Sequence, residues 1–445
     1  MDIFVEPNGA DLQQFIDRLA AAGGGTLLLQ AGRHVSGPIR LRSDVTLSIE
    51  EGATLEFVPD YELYARNSVS VVAEGSDRAY IVAHDVNNIA IIGKGRIVGS
   101  AYAFNTGFDK TVGTYTPNEK RPRVIVLEDC SNVRLEGVTI EESPMWTVHL
   151  VRCNAVIVSG IKVLNNRQLP NTDGIVIDSC IDVKVSEIVI STADDGICLK
   201  TSRSEKGIGR CENIDVSDCL VESNSCALKI GTESFGDFRN VRFTRSKVRD
   251  SNRALGIFSR DGGTIDSVVF SDIEIDCHET ADGFWGSGEP LTITQLDRRP
   301  EIPAGVVSNV RVENVTGRSH GPVNLFAERS GGIAGITLRN VQLTMQEGPL
   351  GTAKQYDLRP TNIDLSPPKD VEGRGNAWLR GADGKIIGLV DYPGGMPAVF
   401  AHNTADLMLD GVDVQRPDPL PKGWNNTALC IDDQSPSPLA ATISL

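Results

Sequence analysis

One short apolar pattern returns along most of this chain, and it constrains the fold more than any other feature. A small or polar pair leads into Val or Ile, then residues alternate and end in a second apolar pair. It reads VNNIAIIGKGRI from Val86, CSNVRLEGVTI from Cys130, CNAVIVSGIKV from Cys153, CIDVKVSEIVI from Cys180 and CENIDVSDCLV from Cys211. It continues as FRNVRFTRSKV from Phe238, IDSVVFSDIEI from Ile265, VSNVRVENVTG from Val307, IAGITLRNVQL from Ile333 and TADLMLDGVDV from Thr404. The first aliphatic residue of each unit serves as a ruler: Val156 to Val183 is 27 residues, Val183 to Ile214 is 31, Ile214 to Val241 is 27 and Val241 to Val268 is 27. Self-similarity of this kind marks stacked supersecondary units. Each unit holds two or three short alternating strands and lacks the helix that a βαβ unit needs. Stacking sets each strand beside its equivalent one coil later, about 4.8 Å away. Inward Val, Ile and Leu then form ladders. The predicted fold is all-β, a single-stranded right-handed parallel β-helix; the competing architecture is a β-sandwich with coincidental spacing.

The irregular interval from Val268 to Val310 implies loops inserted on one side. The stretch from about 345 to 400 is rich in Pro and Gly and reads as a long insertion; Thr404 resumes the pattern. The whole chain, 1–445, is therefore expected to be one domain, since repeat arrays grow in one dimension and never need one large spherical core. Near the start, Leu12, Phe15, Ile16 and Leu19 share one face of a 3.6-residue helix, and Gly23-Gly24-Gly25 ends it. Residues 10–22 are predicted to cap the first open coil. Hydrophobic residues make up 40% of the chain, yet aromatics are only 5% and glycines number 44, which suits thin coils with tight turns.

The net charge of -16 excludes an overall basic footprint of the kind a nucleic-acid binder needs. No apolar run approaches membrane-spanning length. The 9 cysteines include no CxxC pair, and Cys130, Cys153, Cys180 and Cys211 fall at equivalent repeat positions. They read as small buried hydrophobes in a reducing compartment. The start, MDIFVEP, lacks a basic segment followed by an apolar one. A cytoplasmic location is expected for the sequence as it stands, and a secreted or periplasmic one if a leader preceded it.

Stacking makes neighbours of residues one coil apart. Asn171-Thr172-Asp173-Gly174 and Ala193-Asp194-Asp195-Gly196 lie about one coil apart, so three carboxylates are expected on one face of adjacent coils. Like charges held together raise the pKa of at least one. A proton-donating acid beside an ionised base is what glycosidic bond hydrolysis needs. Either motif alone also reads as ordinary Asp-Gly turn chemistry.

These motifs, with SPMWTVHLV from Ser143, NTDGI from Asn171 and ADDGICLK from Ala193, resemble glycoside hydrolase family 28, the polygalacturonases and their relatives. The resemblance runs over roughly residues 25 to 345 and implies a pectin-lyase-like solenoid that needs no cofactor or metal. It implies that Asp194 is the general acid and that Asp173 and Asp195 position and deprotonate the attacking water. Two departures stand out. Where the family has Gly-His-Gly, this chain reads SCALKIG, with Cys226 at the histidine position. Where the family has Arg-Ile-Lys, this chain reads ALGIFSRDGG from Ala254, and a later tyrosine is missing near Thr292-Ile293-Thr294-Gln295. The hydrolytic centre is retained while the subsite that reads a uronic acid is rewritten. Lys200, Cys226, Lys229, Glu233, Arg253, Arg260 and Trp285 are the candidate substrate-binding residues; Glu289 is a further acceptor, and His149 reads as structural. The expected partner is an oligosaccharide or polysaccharide, with neither nucleic acid nor membrane. The expected activity is inverting, exo-acting hydrolysis of pectic or related plant oligosaccharides. Two alternatives stay open: a polysaccharide lyase or epimerase on the same fold, with Asp194 and Asp195 as calcium ligands, and a non-catalytic glycan-binding β-helix.

Overall fold

The computed structural model describes residues 1–7, 11–110, 113–280, 284–360, 382, 384–432 and 440–444. The chain winds as a right-handed parallel β-helix. Each middle coil has three strands. In one coil these are Val148–Val151 on a first face, Asn154–Ser159 on a second and Lys162–Leu164 on a third. The next coil repeats them as Ile175–Asp178, Ile181–Ser186 and Val189–Thr192. In later coils the second and third faces merge into continuous strands such as Ile265–Cys277 and Val307–Ser319. The ruler residues are direct register partners: Val133 with Val156, Val156 with Val183, Val183 with Ile214, and Ile214 with Val241. Val268 pairs with Val310 despite the longer interval, so the extra residues loop out and leave the ladder intact. The interior is one core running from Ile3 to Ala428. Stacked side chains fill it, as where Phe243 and Phe270 lie 5.0 Å apart with rings nearly parallel. Cys130, Cys153, Cys180 and Cys211 are free and buried.

The cap helix spans Leu12–Ala21; Asp11 accepts from the Gln13 amide, and Leu12, Ile16 and Leu19 are buried. Ala10, at the start of the expected span, lies outside the described residues, as do 361–381 and 383 of the expected insertion. Of that insertion, Gln355–Asp357 pairs antiparallel with Leu389–Asp391.

What turns the chain at each corner is a residue with positive φ. Between the first and second faces the corner is held in turn by Asn88, Asn132, Ala155, Asp182, Asn213, Asn240, Ser267 and Asn309, all with φ between 53° and 58°. Side chains with a Cβ pay strain there, and Asn and Asp tolerate it best because they hydrogen-bond locally. The amides also join coil to coil. Asn132 donates to Asn88 at 2.6 Å, Asn213 to Asp182 at 2.8 Å and Asn240 to Asn213 at 2.8 Å. Ala155 interrupts this ladder. Ala155→Asn should therefore raise the melting temperature, by an amount equivalent to about 1 kcal/mol, and Asn213→Ala should lower it by about 1–2 kcal/mol. Thermal unfolding followed by circular dichroism checks both; a destabilised Ala155→Asn protein would show that the corner ladder does not carry this role.

Candidate active site

The turns that lead from the third face back to the first are where the polar sequence motifs fall. Asn171–Gly174 precedes Ile175–Asp178, and Ala193–Gly196 precedes Ile197–Thr201. Backbone bonds stack these turns: the Gly174 amide donates to the Asp195 carbonyl and the Gly196 amide to the Cys226 carbonyl, both at 2.9 Å. The glycines are needed for closeness. A Cβ on Gly174 would stand 2.6 Å from the Gly196 carbonyl oxygen, and one on Gly196 would stand 2.5 Å from that of Ala227. The Asp-Gly pairs thus serve close stacking of turns and not left-handed backbone. Arg121 fixes the first turn from outside, donating to the Pro144 and Pro170 carbonyls at 3.1 and 3.0 Å and to Asn171 Oδ1 at 2.9 Å.

Asp173, Asp194 and Asp195 are brought together and line one cavity of about 380 Å³. Asp195 accepts from Lys229 Nζ at 2.6 Å and from Ser225 Oγ at 3.0 Å. Asp194 Oδ1 accepts from the Asp195 amide at 3.1 Å. Burial holds the Asp173 carboxyl well above its ordinary range, and Asp194 and Asp195 add to that. Burial works against the Lys229 ammonium, but the surrounding groups, Asp195 foremost, together more than offset it and favour the charged form. On the cavity floor, Lys200 meets Glu233 at 2.6 Å and Arg298 meets Glu233 at 3.3 Å. The Trp146 ring forms a wall, with Lys200 and Arg123 over it at 5.1 and 5.2 Å. A larger cavity of about 530 Å³ sits beside the cap helix; its charges pair with one another, as Arg42 does with Asp17 at 2.9 Å, and no cluster of acids converges there.

Of the residues expected to bind substrate, Lys200, Lys229, Glu233 and Trp285 line the cavity. Three do not. Cys226 takes the register position next to Asp195, yet its side chain is buried against Gly256, and burial pushes its thiol up. The hydroxyl that reaches Asp195 belongs to its neighbour Ser225. Arg253 and Arg260 lie beneath residues 357–360 and hold them down. Arg253 donates to the Arg359 carbonyl at 3.0 Å and Arg260 to that of Pro360 at 3.1 Å. Charge at the right place in the repeat does not reveal which loop will cover it. The rewritten family element is filled by Phe258, whose ring faces Lys229, Arg253 and Arg260. Glu289 is buried on Arg253 at 3.3 Å. His149 is buried too, 2.7 Å from Arg123, and burial lowers its pKa. Sequence reasoning missed Arg298 and Arg299, which line the cavity from a loop outside the repeat. It also missed the wall formed by Val71, Val72 and Ala73.

The raised Asp173 carboxyl makes a pH-dependent prediction. Unfolded, the group loses its proton near 3.8; folded, it keeps it to higher pH. Between those limits the folded state binds more protons, so this group's contribution to stability declines as pH rises. Asp173→Asn removes that loss. The melting-temperature gain of the variant over the parent should be small at about pH 4 and larger at about pH 7. A gain that shrinks on going to neutral pH would overturn the assignment.

The fold and site bear comparison with known proteins. The chain is 25% identical over 309 residues to a polygalacturonase of Chamaecyparis obtusa, covering 63% of this chain and 57% of that one. It is 25% identical over 330 residues to an endo-polygalacturonase of Pectobacterium carotovorum subsp. carotovorum, covering 70% and 77%. It spans about half the length of some plant relatives, 48% for one from Vitis vinifera. The crystal structure of an exopolygalacturonase from Thermotoga maritima shares the fold with a TM-score of 0.58 at 23% identity, over 77% of this chain and 91% of that one. Residues 30–357, well over half of the chain, match the family described as glycosyl hydrolases family 28, and the chain belongs to that family.

Proposed function

We propose that this protein is an inverting glycoside hydrolase that removes sugars from the ends of pectic or related plant oligosaccharides. The observation that carries the reading is three carboxyls on stacked turns around one cavity, with burial, and then the other two, favouring the neutral form of Asp173. Interacting acids titrate as a set, and the raised Asp173 carboxyl is the proton reserve of this one. Asp194 delivers a proton to the leaving oxygen, drawing on its neighbour Asp173. Asp195, ion-paired to Lys229, then works with Asp173 to hold and deprotonate water. Transfer of a proton by a positioned acid contributes about a hundredfold or more to rate. The lyase alternative needs a cation among these carboxylates, and the Lys200 and Lys229 ammoniums would oppose one there.

Action near chain ends is favoured by what surrounds the cavity. Val71 to Glu74 line one side, and Trp285 with Arg298 and Arg299 lines another. Beyond them residues 357–360 are clamped by Arg253 and Arg260.

Asp194→Asn should lose turnover by on the order of a hundredfold or more while still binding sugar. The loss should be smaller on aryl glycosides with good leaving groups, which need less protonation; if Asp173→Asn shows that rescue instead, the two roles are exchanged. Nuclear magnetic resonance of the first-formed product should show inverted anomeric configuration, and retention would reject the mechanism. In a polymer digest, reducing ends should accumulate with little early loss of viscosity. A rapid fall in viscosity would point to cleavage in mid-chain.

A further inference from the structure

The cavity contains the cations that could hold a substrate carboxylate, but a residue of the chain already occupies them. Glu233 receives Lys200 Nζ on one oxygen at 2.6 Å and Arg298 Nη1 on the other at 3.3 Å. Thr232 Oγ1 adds a third donor at 3.3 Å. The order of exposure matters. The Glu233 side chain is 25% exposed, against 6% for Lys200 and 10% for Arg298. Of the three side chains, that of Glu233 is thus the most open to a ligand entering the cavity. Burial alone would favour the neutral acid, but Lys200 and Arg298 overcome it and hold Glu233 well below the usual carboxylate range.

The other cations around the cavity are committed in the same way. Lys229 is on Asp195 at 2.6 Å, and Arg299 is on Asp261 at 2.9 Å. Among the described residues lining the cavity the exception is Arg203, which is exposed and stacks on the Phe235 ring at 4.6 Å. It lies on the antiparallel hairpin of Arg203–Ser204 and Gly207–Ile208, away from the buried floor.

We propose that Glu233 stands in for a substrate carboxylate, so that the floor of this cavity selects a neutral sugar ring and rejects a uronic acid. The proposal rests on the reading of this cavity as the sugar site. A neutral ring offers hydroxyl donors to the Glu233 carboxylate, and hydrogen bonds to a charged acceptor are among the stronger ones. A uronate on the floor would set a second carboxylate against the first, where Lys200 and Arg298 are already paired to Glu233 and the unpaired Arg203 lies away on its hairpin. Glu233 is thus a specificity-determining residue, and its charge decides which substrate class enters.

The test is binding of one disaccharide of galacturonic acid in two forms, the free acid and the full methyl ester, which differ in charge far more than in shape. The parent protein should bind the ester more tightly, by on the order of tenfold. Glu233→Gln keeps the side-chain shape and frees Lys200 and Arg298, and it should reverse the order. Lys200→Met removes a cation while leaving the carboxylate, and it should widen the parent's preference for the ester. The proposal is overturned if the parent binds the free acid as tightly as the ester, if it binds neither, or if Glu233→Gln leaves the order unchanged. A narrowed preference in Lys200→Met would overturn it as well. Bond cleavage scored in the same samples separates this from the hydrolase reading. The expected binding order without cleavage would sink the hydrolase reading and leave this one standing, whereas cleavage with the opposite order would do the reverse.

Discussion

The molecule depends on a backbone conformation that most residues avoid. At the corners after the first-face strands residues adopt positive φ, among them the series from Asn88 through Asn309, and a second series including Gly137, Gly160, Glu187, Asp218 and Asp272 does so between the second and third faces. Two tight corners per coil let strands of only three to six residues close a turn, as Asn154–Ser159 and Lys162–Leu164 do. Like corners keep Val156, Val183, Ile214 and Val241 in register even where the coils differ in length. The third turn is under no such constraint. It varies in length from coil to coil, and that freedom is where the acids and the cavity walls were placed.

Electrostatics in the cavity follows from the same division. Residues pointing outward from the first face would meet water in an isolated coil, but loops cover them here. Val148–Val151 and Ile197–Thr201 are buried at every position. Charges on that surface must therefore find partners. Lys229 is matched to Asp195, Lys200 to Glu233, and Arg253 to Glu289 and Asp357. A buried ion pair adds little net stability, but removing one partner leaves a desolvated charge behind. The pairs are thus best understood as fixing geometry and charge inside the cavity.

The repeat was legible because inward ladder positions accept little besides Val, Ile and Leu, so the ruler residues betray the coil length. The three aspartates were legible because one coil of sequence separates their motifs, and stacking makes that separation a contact. The corner ladder was present too, as the small or polar pair opening each unit, but its left-handed backbone is a property that letters do not display. What stayed hidden came from outside the repeat. Arg298 and Arg299 arrive on a loop with no counterpart in neighbouring coils. Arg253 and Arg260 occupy promising repeat positions but are covered by residues more than one coil away in sequence. Cys226 was expected to bind substrate from the family's histidine position, yet the hydroxyl that reaches Asp195 from this turn belongs to its neighbour Ser225.

Gly174 and Gly196 hold two acid-bearing turns at the distance of a backbone hydrogen bond, 2.9 Å from amide to carbonyl. Along the helix axis, the spacing of Asp173 and Asp195 is therefore set by peptide geometry, and core packing has little say in it. Such a spacing resists gradual adjustment: it cannot be widened or narrowed by trading one side chain for another. Any lineage keeping this turn inherits its acids at a fixed pitch. New substrates must then be accommodated by the walls and the floor, while the reacting groups stay where the ladder put them.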